Sequence, residues 1–284
     1  MPAPNTTLLK SKPSAPLGAG KVRLGTLLQL KRAGLPITCV TAYDYPAALA
    51  LEEAGVDVCL VGDSLGMVVL GYESTLPVTL EEMIHHAKAV KRGLKRALLV
   101  VDLPFMSYQA SPQQALLSAG RLLKEAGAEA VKLEGGTEVA ATVRALRDAG
   151  IAVMGHIGLT PQSVHALGGY KVQGRDKATA AKLLKDAKAL QAAGAFSVVL
   201  ESVPGPLARR ISRSLRIPSI GIGAGVGCDG QVQVWHDLQG ALPGRRPRHA
   251  KAYGSQFTDQ VAALKRYSAE VRQRTFPSKD ETPL

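Results

Sequence analysis

The chain has 284 residues, and 46% of them are apolar, enough for one large core. Only 4% are aromatic, so Ala, Val, Leu and Ile must build that core, which favours helices on a parallel sheet over an aromatic-rich sandwich. The formal net charge is +12, but the basic residues are scattered and no DNA- or RNA-binding motif accompanies them, so neither a nucleic-acid partner nor, without a bilayer-spanning run, a membrane partner is expected.

In chain order, residues 1–20 are rich in Pro, Ala, Thr and Ser, lack the apolar stretch of a signal peptide and read as a flexible tail. From residue 21 to 270, short β-branched runs alternate with longer helical stretches. Strands are predicted at 37–43, 56–63, 97–103, 130–134, 151–156, 196–201 and 217–222, with a weaker one at 231–235. Ala33-Gly34, Ala54-Gly55, Ala126-Gly127, Ala149-Gly150 and Ala193-Gly194 read as helix ends, since Gly past a helix can close its last turn. Thr79 with Glu82 reads as a capping box, and Pro112 and Pro161 stand at first helical positions. One predicted helix carries Lys88, Lys91, Arg92, Lys95 and Arg96, and another Arg209, Arg210, Arg213 and Arg216; a further basic group is Arg245, Arg246 and Arg248. These read as solvated faces. Residues 271–284 read as a second flexible tail.

Strand, helix and Gly in repetition mean parallel strands with crossover helices. Eight of them point to a closed (β/α)8 barrel in one domain. An open doubly wound sheet is the alternative, but the segment after the first strand, Thr41 to Pro46, lacks a Gly-rich dinucleotide fingerprint. The three cysteines show no paired spacing, Cys39 and Cys59 fall in buried-strand segments, and a reducing, cytoplasmic location is expected.

Ionisable residues recur at the C-terminal ends of five successive predicted strands: Asp63, Asp102, Lys132 with Glu134, His156, and Glu201. Barrel active sites are assembled at that end from different strands. Alone, an Asp after a strand is a turn or cap residue and a His a core or rim residue; the coincidence at one end carries the argument. Carboxylates without clustered Cys or His suit a hard cation such as magnesium. The Gly-rich segment Gly221 to Gly225 fits an anion-binding loop and a simple tight turn equally.

The stretches Thr41-Ala-Tyr-Asp44, Val61-Gly-Asp-Ser-Leu-Gly66, Ser74-Thr-Leu-Pro-Val-Thr79, Asp102-Leu-Pro-Phe105, Val131-Lys-Leu-Glu-Gly-Gly136, Gly155-His-Ile-Gly-Leu-Thr-Pro-Gln-Ser163, Gly168-Gly-Tyr-Lys-Val-Gln-Gly-Arg175 and Leu200-Glu-Ser-Val-Pro204 resemble the ketopantoate hydroxymethyltransferase family. The resemblance implies a barrel of the phosphoenolpyruvate/pyruvate type, working in pantothenate synthesis. It implies transfer of the one-carbon unit of 5,10-methylenetetrahydrofolate to 3-methyl-2-oxobutanoate through a magnesium-stabilised enolate, with 2-dehydropantoate and tetrahydrofolate as products. By the same resemblance, Asp63 and Asp102 bind magnesium and substrate, and Glu134 lies in or behind the metal shell. Ser64 and Lys132 hold the oxo acid, Glu201 is the base, Tyr43 and His156 line the pocket, and the assembly is a homodecamer. Ser202, where the family commonly has Cys, and His249, where an aromatic is expected, depart from the pattern. Two rival readings are a lyase or mutase of the phosphoenolpyruvate mutase and isocitrate lyase type, with Cys228 as its one loop cysteine, and a non-catalytic metabolite-binding protein.

Overall fold

The computed structural model describes residues 20–282 apart from Arg245. Thus the tail expected at residues 1–20, save Gly20, lies outside the described residues, as do Arg245 and residues 283–284.

Eight parallel strands close into a barrel in sequence order, the eighth pairing with the first. Helix α1 (Leu24–Ala33) precedes β1 (Ile37–Thr41); α2 (Tyr45–Glu53), β2 (Val58–Val61), α3 (Leu65–Val68), α4 (Leu80–Gly93) and β3 (Leu98–Asp102) follow. Next come α5 (Pro112–Ala126), β4 (Ala130–Glu134), α6 (Ala140–Asp148), β5 (Val153–Gly158), α7 (Lys177–Ala193) and β6 (Ser197–Glu201). The chain continues through α8 (Gly205–Ser214), β7 (Ser219–Ile222), β8 (Gly230–Gln233), α9 (Trp235–Gln239) and α10 (Gln256–Gln273).

All eight predicted strands are present. The last stops at Gln233 rather than 235, because the Trp235 N–H turns to Thr41 Oγ1 at 2.8 Å and opens α9. The local signals act as read. Thr79 Oγ1 accepts from the Glu82 N–H at 3.2 Å, while the Glu82 carboxylate accepts from the Thr79 N–H at 2.7 Å. Gly127 ends α5 in the left-handed conformation, φ 70°. The Pro161 signal yields only a 3₁₀ turn, Pro161–Ser163, whose Gln162 N–H donates to Glu134 Oε2. Two basic groups overrun their helices. Lys95 and Arg96 lie past α4, where Arg96 pairs with Asp57 at 3.0 Å, and Arg216 lies past α8.

Alternation along the strands separates two cores. Inside the barrel, Ile37, Cys39, Leu60, Val100, Ala130, Met154, Val199, Ile220 and Val232 pack together, with Leu27 and Leu30 of α1 joining them. Outside, Cys59, Val101, Val131, Leu133, Val198 and Leu200 meet the helices through residues such as Leu122, Leu146 and Leu190. A Leu122→Ala truncation in that layer would cost about 2–5 kcal/mol. Cys39 and Cys59 sit on neighbouring strands but opposite faces, and all three thiols are free.

After β8, the chain returns through His249, against Gly223 of the β7 turn, and Tyr253, whose N–H bonds Leu238 O at 2.8 Å. The boundary expected at residue 270 falls inside α10, which continues to Gln273; Arg274 closes it, and Phe276 then stacks edge-on against Tyr267 at 5.4 Å. No described helix is long and apolar enough to cross a membrane.

Candidate active site

The polar residues are the next inward positions above the inner core. On β3, Leu98 and Val100 lead to Asp102; on β4, Ala130 leads to Lys132 and Glu134. Met154 leads to His156 on β5, and Val199 to Glu201 on β6. Period-two geometry thus converts a buried apolar layer into a charged one at the strand ends. Asp63 follows β2 after Gly62, its backbone N–H donating to Asp102 Oδ2 at 3.1 Å, and Ser64 stands at the N-cap position of α3.

These side chains form one connected group. Lys132 Nζ lies 3.1 Å from Asp102 Oδ1 and 3.2 Å from His156 Nδ1. His156 Nδ1 is 3.4 Å from Glu134 Oε1, and its Nε2 is 3.2 Å from Glu201 Oε2. Tyr43 and Ser64 share a hydroxyl–hydroxyl hydrogen bond of 2.8 Å. Asp63, Asp102, Lys132, Glu134 and His156 are buried, and Glu201 is half-buried.

Two residues that sequence reasoning did not single out complete the group. Gln162, buried after β5, donates to Asp63 Oδ2 and to Leu103 O, both at 2.9 Å, and its backbone N–H donates to Glu134 Oε2 at 3.0 Å. Tyr108, also buried, donates to Gln162 Oε1 at 2.7 Å and accepts from the Glu134 N–H at 3.0 Å. Gln162 lies within the motif Gly155 to Ser163, but a neutral amide carries no sequence signal to separate it from a loop residue.

Burial pushes the Asp63 carboxyl up to about 8, and the charges of Asp102 and Glu134 add to the shift. Burial also raises Asp102, against the pull of Lys132. For Lys132, burial acts downward, but Asp102, Glu134 and Asp63 outweigh it and hold the ammonium protonated. For His156, burial and Lys132 act downward, yet Glu134 and Glu201 carry it up to about 9. Burial keeps the Tyr43 phenol neutral. Counted at full ionisation, four carboxylates (Asp63, Asp102, Glu134, Glu201) face two cations (Lys132, His156), an excess of two negative charges, and the raised Asp63 carboxyl holds a proton against that excess.

That excess matches one divalent cation. The donor set is all oxygen, and Asp102 Oδ1 is buried without a hydrogen bond, its Lys132 contact lying off hydrogen-bond geometry. The residues therefore fit a hard ion such as magnesium. Among the described residues, no group of three or more His, Cys, Asp or Glu side chains already has metal-holding geometry. Two carboxylates plus water and substrate oxygens are the usual magnesium arrangement.

Apolar residues rim the mouth: Met67, Leu70, Phe105, Met106 and Tyr170 are exposed. The Tyr170 hydroxyl points to Met67 Sδ at 3.8 Å, joining the loop after β5 to α3. In the Gly221–Gly225 segment, Gly223 and Gly225 have φ of 62° and 74°, the geometry of a tight turn. Cys228 is not at the mouth; it packs with the outer core beside Gly221 of β7.

The sequence profile of the family described as "Ketopantoate hydroxymethyltransferase" matches residues 21–279. The 3-methyl-2-oxobutanoate hydroxymethyltransferase of Carboxydothermus hydrogenoformans is 60% identical over 257 residues, covering 90% of this chain and 93% of the relative. The protein of the same name from Moorella thermoacetica is 57% identical over 262 residues, covering 92% and 97%. Among solved structures, a phosphonopyruvate hydrolase in complex with oxalate and Mg2+ aligns with a TM-score of 0.59 at 13% identity, over 92% of this chain and 91% of that one. A phosphoenolpyruvate phosphomutase from Streptomyces platensis subsp. rosaceus aligns with a TM-score of 0.58 at 16% identity, over 90% and 92%. At such identities these two structures share the fold.

Proposed function

The chain belongs to the ketopantoate hydroxymethyltransferase family, and on that premise we propose how its barrel mouth transfers a one-carbon unit to 3-methyl-2-oxobutanoate to form 2-dehydropantoate. The donor is 5,10-methylenetetrahydrofolate, water supplies the hydroxyl oxygen, and tetrahydrofolate leaves. The observation that carries this reading is the two-charge excess of buried carboxylates, with Lys132 inside the cluster and Glu201 at its half-buried edge.

Asp63 and Asp102 would hold magnesium, with Glu134 behind them. When bound, the ion draws charge from the keto oxygen and so acidifies the C3–H. Lys132 and Ser64 hold the oxo acid, the ammonium supplying positive charge near its developing anion. Tyr43 fixes Ser64 through their shared hydrogen bond. Glu201 removes the C3 proton. It is the one site carboxylate outside the proposed metal group, so its lone pairs are not given to the ion. His156, 3.2 Å from Glu201, orients that carboxylate. C3 then attacks the methylene carbon of the co-substrate, forming the C–C bond as one C–N bond of the folate breaks; water displaces the second folate nitrogen, forming the C–O bond of the hydroxymethyl group and releasing tetrahydrofolate. The exposed apolar rim of Phe105, Met106 and Tyr170 suits a flat heteroaromatic co-substrate.

The test is product formation from 3-methyl-2-oxobutanoate and 5,10-methylenetetrahydrofolate, with and without Mg2+. The expected result is 2-dehydropantoate and tetrahydrofolate in equal amounts, dependent on both folate and metal. Release of glyoxylate or pyruvate from a longer acid, independent of folate, would instead establish the lyase reading. The position of Cys228 on the outer face of the barrel speaks against it.

A further inference from the structure

We propose that Gln162 is a positioning residue that sets the carboxylates of Asp63 and Glu134 for a divalent cation. The inference rests on the reading of these carboxylates as a cation site. Gln162 is 5% exposed, so each of its polar atoms must find a partner within the protein. Its oxygen accepts from two donors, the Tyr108 hydroxyl at 2.7 Å and Gln109 Nε2 at 3.0 Å. The Tyr108 oxygen accepts from the Glu134 N–H at 3.0 Å, and of the two acceptors within reach of its proton, Gln162 Oε1 at 2.7 Å is nearer than Glu134 O at 3.2 Å.

With its oxygen claimed on that side, the amide has one orientation. Its two N–H groups must face Asp63 Oδ2 and Leu103 O, both 2.9 Å away. A flipped amide would set its oxygen against a carboxylate and a carbonyl, and its N–H groups against two donors. The amide therefore engages one oxygen of Asp63 and leaves the other to a cation. The backbone N–H of the same residue holds Glu134 Oε2 at 3.0 Å. One neutral residue thus orients carboxylates that follow β2 and end β4. A Lys or Arg there would orient them too, but its charge would compete with the ion. Hydrogen-bond partners of ligating carboxylates commonly govern metal affinity in this way.

The experiment is Mn2+ binding to the full chain without substrate, followed by electron paramagnetic resonance, with thermal unfolding measured in parallel. Gln162→Leu keeps the volume but loses the amide, and its Mn2+ affinity should fall about 10- to 100-fold. Tyr108→Phe keeps the amide but removes one of the two donors that orient it, and should show a smaller loss of affinity. If Gln162 only packs, both variants melt earlier yet bind Mn2+ as the wild type does, and the proposal is overturned. Should Gln162→Leu not fold, Tyr108→Phe decides alone: undiminished affinity overturns the proposal, and a loss supports it. A wild-type chain that binds no Mn2+ would remove the cation site itself, and this inference with it.

Discussion

Lys132 and Asp102 are register partners on adjacent strands, and Lys132 Nζ stands 3.1 Å from Asp102 Oδ1 where the apolar interior of the barrel gives way to charge. An ion pair buried this deeply loses most of its gain to desolvation, so stability alone is a weak reason to retain it. Its use is to keep an ammonium beside carboxylates where an anionic substrate must bind.

Lys132→Met tests that use. The oxo acid should bind at least about thirty-fold more weakly, the lower end of what truncating one partner of a buried charge pair costs. Calorimetric titration with 3-methyl-2-oxobutanoate in Mg2+ gives the number. An unchanged Kd, or a crystal complex with Lys132 turned from the ligand, would refute the assignment.

Asp63→Ala and Asp102→Ala should each abolish metal-dependent binding of the oxo acid while the far-ultraviolet circular dichroism stays that of the wild type. If both variants keep wild-type Mg2+ affinity, neither residue is a ligand.

Glu201→Gln is nearly isosteric and should retain substrate and metal. It should lose Mg2+-dependent exchange of the C3 hydrogen of 3-methyl-2-oxobutanoate with deuterated solvent, read by proton magnetic resonance. Wild-type exchange would show that Glu201 is not the base.

The pH response follows from two raised groups. Asp63 rises from 3.8 to about 8 and His156 from 6.5 to about 9. Both bind protons more tightly in the folded chain than in the unfolded one. Stability without metal should therefore fall as pH climbs from the unfolded values of 3.8 and 6.5, and level off above about 8 to 9. A divalent cation replaces the proton on Asp63, so Mg2+ should raise the Tm more at the alkaline end and release about one proton on binding. A Mg2+-induced Tm shift that does not change with pH would count against this charge balance.

Gly158→Ala should perturb the base without touching the metal carboxylates. Gly158 has φ 98°, and a Cβ there would strike the Glu201 carbonyl oxygen and the Val203 side chain. The expected cost is about 1–3 kcal/mol in urea unfolding, with slower C3–H exchange and unchanged Mn2+ affinity. Full exchange activity in the variant would show that Glu201 tolerates the shift.

Much of this was legible in the residues. β-Branched runs, the Thr79 cap, Pro112 at the start of α5 and the helix-ending glycines are local signals, and local backbone preferences answer to them wherever the chain folds. The charged strand ends were legible too, because alternation sends Lys132 and Glu134 to the same face of β4. Contacts set by barrel closure were not. Gln162 and Asp63 lie 99 residues apart in sequence, yet their side chains hydrogen-bond at 2.9 Å. His156 meets Glu201 only because β5 and β6 are neighbours in a particular register, with Gly158 opposite Glu201. The excess of two negative charges, and the raised Asp63 carboxyl that expresses it, also arise only when residues from five strand ends share one dry volume. The sequence determined which residues could carry charge to the barrel mouth. The tertiary structure decided which of them meet, because burial and distance, not residue type, set the strength of a charge's interactions.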